Sequence, residues 1–202
     1  LEIKTPQNLI CTSAELNIEA KELSNFILNI DPLKIDEFRA FIPENNFKML
    51  PEAEIQLKLQ KQKGLLDLKL EHNGQKLVLS VKADYIFSIP IYNLELELAH
   101  LDGDTWLADE KLDSDINLLL SVSGKGIKPQ QAEGNINLKI SPSRLDKRTL
   151  DSMQLLVNKT GRNADLSTQV SGNFGKINIY GNVDNIFDQI NYQVNGKLEH
   201  CN

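Results

Sequence analysis

The side chains best equipped for proton transfer or metal binding are three histidines, two cysteines and a run of acids. His72, His100 and His200 are separated by whole strands and turns, with no HxxxH or His/Cys spacing that would converge on a metal or hold a general base. They read as strand-end surface groups. Asp102, Asp104, Asp109, Glu110, Asp113 and Asp115 suggest calcium, yet the sixth-position glycine and twelfth-position glutamate of the loop pattern are missing, so a solvated turn is expected. Gly124-Lys125-Gly126 is too short for a phosphate-binding loop and no helix pattern follows it. Many acids are present, but no pair stands out for glycoside hydrolysis, and no GxSxG or Ser/His/Asp context occurs. The expectation is a chain that is not an enzyme and that needs neither metal nor cofactor.

Cys11 and Cys201 lie far apart, without CxxC spacing. In an oxidising compartment they are a candidate disulfide, a terminal clamp worth about 4 to 5 kcal/mol on chain-entropy grounds. The alternative is two unrelated buried thiols.

The elements that must position any site are strands. Apolar residues at every second position mark a strand with one buried face, and the pattern recurs from Ala53 to Leu59, Leu66 to Leu70, Leu77 to Ala83 and Tyr92 to Leu98. It continues from Ile116 to Val122, Ile136 to Ile140, Met153 to Val157, Ala164 to Val170, Ile177 to Ile179 and Ile190 to Val194. Turn signals separate these runs: Lys63-Gly64, His72-Asn73-Gly74, Asp102-Gly103-Asp104, Gly124-Lys125-Gly126, Asn173 to Gly175 and Gly181-Asn182. A meander of hairpins is implied. Asn135, Asn137 and Gln169 stand at polar positions, so the second face is expected to be solvated, unlike a parallel α/β sheet. One segment breaks the rhythm. Asp31-Pro32 offers an N-cap and first helical residue, Ile35, Phe38, Phe41 and Ile42 share a helical side, and Pro43 would end a short helix over 33–42.

With 41% hydrophobic residues and a formal net charge of −6, the chain of 202 residues can bury a core but lacks the basic stripe that nucleic acid requires. No apolar run approaches the roughly 20 residues of a spanning helix. Opening on Leu1, the sequence reads as one β-meander segment, 1–202, of a longer parent whose membrane anchor would lie outside it, with regular strands from about 52 to 198. So long a sheet must cover its apolar face by closing into a barrel, splitting into a sandwich or curling into a trough. Its inward positions are mostly Leu, Ile and Val, and aromatics amount to only 6%. A transmembrane barrel should instead carry aromatic girdles.

The stretch Asp36-Glu37-Phe38-Arg39-Ala40-Phe41-Ile42-Pro43 followed by a strand from Glu52 resembles the short helix leading into a meander of the TamB family, in the bacterial AsmA-like superfamily. Leu118 to Gly126, Gly134 to Ile140, Ser141 to Leu145 and Thr149-Leu150-Asp151 are similar to that family's recurring order of strand, glycine turn, strand and short connection. The resemblance covers about residues 30 to 198 and rests on strand texture more than on fixed residues. It implies an all-β, elongated, curved antiparallel meander folded into a hydrophobic trough, in the periplasm or cell envelope of a diderm bacterium. By the same resemblance, Ile55, Leu57, Leu59, Leu66, Leu68, Leu70, Leu77, Leu79, Val81, Leu94 and Leu96 would line that trough. Leu98, Ile116, Leu118, Leu120, Ile136, Leu138, Ile140, Leu155, Val157, Leu166 and Val170 would continue the lining. The implied partner is a phospholipid or other acyl-chain lipid, conducted between inner and outer membranes. The alternative is a scaffold for outer-membrane protein assembly that pairs its strand edge with an outer-membrane β-barrel.

Overall fold

The computed structural model describes residues 2–4, 9–17, 22–34, 52–107, 113–128, 130–185 and 190–199. Its strands begin with β1 Glu2–Lys4, β2 Leu9–Asn17, β3 Glu22–Lys34, β4 Glu52–Gln60, β5 Lys63–His72, β6 Gln75–Asp84 and β7 Ile91–Leu101. A five-residue helix, α1 Gly103–Leu107, precedes β8 Ser114–Lys125, β9 Glu133–Ile140, β10 Ser143–Leu145, β11 Arg148–Thr160, β12 Asn163–Gly172, β13 Gly175–Asp184 and β14 Asn191–Glu199. All the strands join one antiparallel sheet in chain order, with β9 and β10 both lying between β8 and β11. The meander expected from alternation is present, and it is all-β and curved. Among the described residues the path runs open from β1 to β14, with no pairing between these two strands that would close a barrel.

Regular registry follows from the two-residue hairpins. Asn73 and Gly74 take positive φ values of 47° and 81°, which matches the twist of the flanking strands β5 and β6. Two turns differ from the sequence expectation. The β4–β5 reversal falls on Lys61 and Gln62, and Lys63-Gly64 already belongs to β5. Gly181-Asn182 lies inside β13, because Gly181 faces the Gln193 carbonyl too closely to admit a Cβ.

The helix expected over 33–42 is corrected where it can be seen. Residues 35–42 lie outside the described residues, whereas Leu33 and Lys34 extend β3, with Leu33 opposite Ala53. Asp31-Pro32 is a bulge between Ile30 and Leu33, a place where a proline without an N–H is tolerated in a sheet. The Asp102-Gly103-Asp104 segment, expected as a turn, instead starts α1.

A level of irregularities crosses β7 to β11. His100 adopts φ of 54° in a β7 bulge, and its N–H donates to Asn117 Oδ1 at 2.9 Å. Asn117 Nδ2 donates to the Pro142 carbonyl at 2.9 Å, and the Ser141 N–H donates to the Asn117 carbonyl at 3.0 Å. One asparagine therefore satisfies backbone groups that the bulge in β7 and the break between β9 and β10 would leave unpaired.

Candidate functional site

Antiparallel partners project to the same face, so the register turns single residues into rows running across the strands. One row reads Ile10, Ile30, Ile55, Leu68, Leu79, Leu96, Leu120, Leu138, Leu155. A second reads Leu28, Leu57, Leu66, Val81, Leu94, Val122, Ile136, Val157, Leu166. A third reads Ala53, Leu70, Leu77, Leu98, Leu118, Ile140, Met153, Val170, Ile177. Leu59 joins Phe26 on a fourth, and Ile116 pairs with Leu101 beyond the β7 bulge. All the lining positions named from the sequence therefore share one face. At about 4.8 Å per strand, the first row spans about 40 Å, longer than the roughly 30 Å hydrocarbon core of a bilayer.

This face is not a filled interior. Among the described residues the buried hydrophobics are Ala53 and Trp106, at 1% and 7% exposure, and no large side chain is fully buried. Apart from Ala53 the row residues are half-buried or more open, and Ile136 and Leu166 reach 38% and 37% exposure. The rows weaken toward the last strands, where Thr168, Gly181 and Gly196 take their places. The Thr168 hydroxyl is buried on this face without a hydrogen-bond partner.

At one margin, α1 closes a polar corner. Asp102 accepts from the Thr105 hydroxyl at 2.5 Å and from the N–H groups of Asp104 and Ser114, each at 3.2 Å. The Thr105 hydroxyl, before those backbone donors, holds the Asp102 carboxyl below its ordinary range. The Trp106 indole N–H donates to Gln75 Oε1 at 2.7 Å, which seats the ring on the groove side of β6. A recess of about 330 Å³ is lined by Ile116, Ile140, Leu145, Leu150 and Phe174 together with Arg144 and Arg148. Arg148 lies two residues from Leu150 on β11 and so projects to the groove face.

The chemistry-bearing residues take up structural contacts. Asp113 accepts both guanidinium nitrogens of Arg144 at 2.7 and 2.8 Å, which lowers its pKa, and Asp115 lies 3.1 Å from His100 Nδ1. Asp109, Glu110 and His200 lie outside the described residues, and His72 meets the Asn73 amide at 2.9 Å. Among the described residues no cluster of three or more His, Cys, Asp or Glu could hold a metal ion. The terminal clamp falls partly outside the described residues. Cys11 carries a free thiol, half-buried on β2, and Cys201 lies outside the described residues.

The opposite face is mostly polar, with Leu119, Leu156 and Tyr180 exposed among its charged and amide side chains. Lys69 bridges Glu54 and Glu71 at 3.1 and 3.0 Å, Lys76 meets Glu97 at 3.4 Å, and Ser80 donates to Asp67 at 2.6 Å. Sequence reading missed Phe26, Leu28 and Ile30 as groove positions, because Ile27 blurs the alternation of β3. No family model matches this chain, and comparison with curated proteins and with solved structures finds no similar protein.

Proposed function

We propose that this chain is a non-catalytic groove protein that binds or conducts phospholipid acyl chains between the inner and outer membranes, in the periplasm of a diderm bacterium. The observation that carries the reading is the set of continuous aliphatic rows on a face that no second layer covers among the described residues. Each shielded CH₂ is worth about 0.8 kcal/mol, and interchangeable Leu, Ile and Val positions let a chain slide without losing that energy. Polar head groups stay at the open margin, where Arg148 offers a cation. The TamB-like strand texture supports the same reading.

Native mass spectrometry of gently purified protein, followed by lipid extraction, tests it. Co-purified phospholipid that disappears in a folded Leu96→Arg variant is the expected result. A clean, ligand-free, stable wild-type protein defeats the proposal.

A second reading is favoured by one observation. β14 ends the sheet with one strand edge unpaired among the described residues, and its Tyr192, Val194 and Leu198 are 75%, 60% and 67% exposed. Such an edge can template a partner strand, as a scaffold for outer-membrane β-barrel assembly would require. Proline at Asn195, if it abolishes partner capture while Leu96→Arg does not, would move the function from groove to edge.

A further inference from the structure

The margin opposite α1 carries a feature that the groove does not need. The Ile86 N–H donates to the Gln62 carbonyl at 3.1 Å, and the Gly126 N–H donates to the Pro90 carbonyl at 2.8 Å. These two bonds join the β4–β5 turn, the loop 85–90 and the segment after β8 into one tip. Turns facing water favour Gly, Pro, Asn, Asp and Ser. This tip instead exposes Phe87 at 80%, Ile127 at 76%, Ile89 at 59% and Tyr85 at 54%. The Ser88 N–H donates to the Tyr85 carbonyl at 2.9 Å, closing a turn that holds Phe87 outward. Tyr85 sits there at φ of 58°, a costly conformation for a bulky side chain. Folding gains almost nothing from a phenylalanine in water, so the tip's apolar side chains are left open to contact from outside.

The charge around the tip says what that is. Lys61, Lys63, Lys125 and Lys128 are exposed on the same turns and strand ends. Lys58, Lys63 and Lys82 line an adjoining recess of about 320 Å³ on the polar face. The neighbouring carboxylates are Asp84, 3.5 Å from Lys63, and Glu133. Against a net charge of −6 for the whole chain, this is a local reversal of sign. Apolar tips flanked by flexible cations match a lipid surface, in which side chains enter the acyl boundary and ammonium groups meet phosphates.

We propose that this tip docks the protein on a bilayer containing anionic lipid, with Phe87, Ile89 and Ile127 at the head-group boundary and the lysines on lipid phosphates. The docking does not depend on the groove carrying lipid.

The test is co-sedimentation of the chain with vesicles of phosphatidylcholine alone or mixed with phosphatidylglycerol. Binding is expected with the anionic vesicles. It should weaken at least about tenfold on Phe87→Glu, about fivefold for each of Lys125→Gln and Lys128→Gln, and further as salt is raised. These side chains are exposed, so circular dichroism should be unchanged. In a Phe87→Trp variant, vesicles should shift emission to the blue, whereas the buried Trp106 at the other margin keeps its spectrum in the parent. Absence of wild-type binding, or equal binding by the tip variants, overturns the proposal. So does loss of binding in Leu96→Arg with the tip variants unaffected, which would place the vesicle contact in the groove. If tip variants abolish self-association in ultracentrifugation while vesicle binding persists, the tip joins copies of the chain and the proposal fails.

Discussion

Single residues decide how the sheet's margins are sealed. Asp102 caps α1 and ties it to β8 through the Ser114 N–H. Asp102→Ala should therefore cost about 1 to 2 kcal/mol in denaturant unfolding, and an unchanged midpoint would show that the corner is idle. Its folded pKa lies below the ordinary 3.8, so its contribution is present above that value and is lost as pH falls through the folded pKa. Acidification below pH 3.8 should lower the melting temperature of the wild type more than that of Asp102→Asn. At the other margin, a Cβ on Gly124 would stand 2.6 Å from Tyr92 Oη and 2.8 Å from the Glu133 carbonyl. Gly124→Ala should destabilise by about 1 to 3 kcal/mol through overpacking. Tyr92→Leu in the same background should recover part of the loss, and no recovery would place the clash in the backbone.

At the scale of elements, β14 stands out as an edge without proline, bulge or covering loop among the described residues. Lysine on an edge strand discourages strand addition. Val194→Lys should lower concentration-dependent association, read by light scattering, while leaving the circular dichroism spectrum unchanged. Association that persists would clear the edge of that role. Pattern alone found the strands from β4 onward, apart from the three-residue β10, which reads as a connection, because the others alternate against a polar partner row. It missed β3, where Phe26, Ile27 and Leu28 run together and Asp31-Pro32 imitates a helix start. It also missed α1, since a five-residue helix shows no periodicity and is held in part by Gln75, from a distant part of the chain.

For the whole molecule, each strand packs mainly on its sequence neighbours, as a repeat array does. Opening should therefore spread inward from both edges. Hydrogen exchange should find the amides of β5 to β9 slower than those of β1 and β14, and uniform protection would argue for a single cooperative core instead. The groove reading also sharpens its own control. Asn137 carries a buried carbonyl without a partner, whereas Asn135 on the same polar face is exposed. Asn135→Lys is thus the substitution expected to leave both stability and lipid retention unchanged when compared with Leu138→Asp.

The period-two alternation of the sequence by itself determined the all-β class, the antiparallel meander and the identity of the apolar face, because side-chain direction on a strand is a local property. Two things required tertiary structure. One is register, since only pairing across hairpins lines Leu68, Leu79, Leu96, Leu120 and Leu138 into one row rather than offset steps. The other is exposure: an aliphatic face reads the same in sequence whether it fills a core or stays uncovered, and only the side-chain exposures of the described residues decided between them.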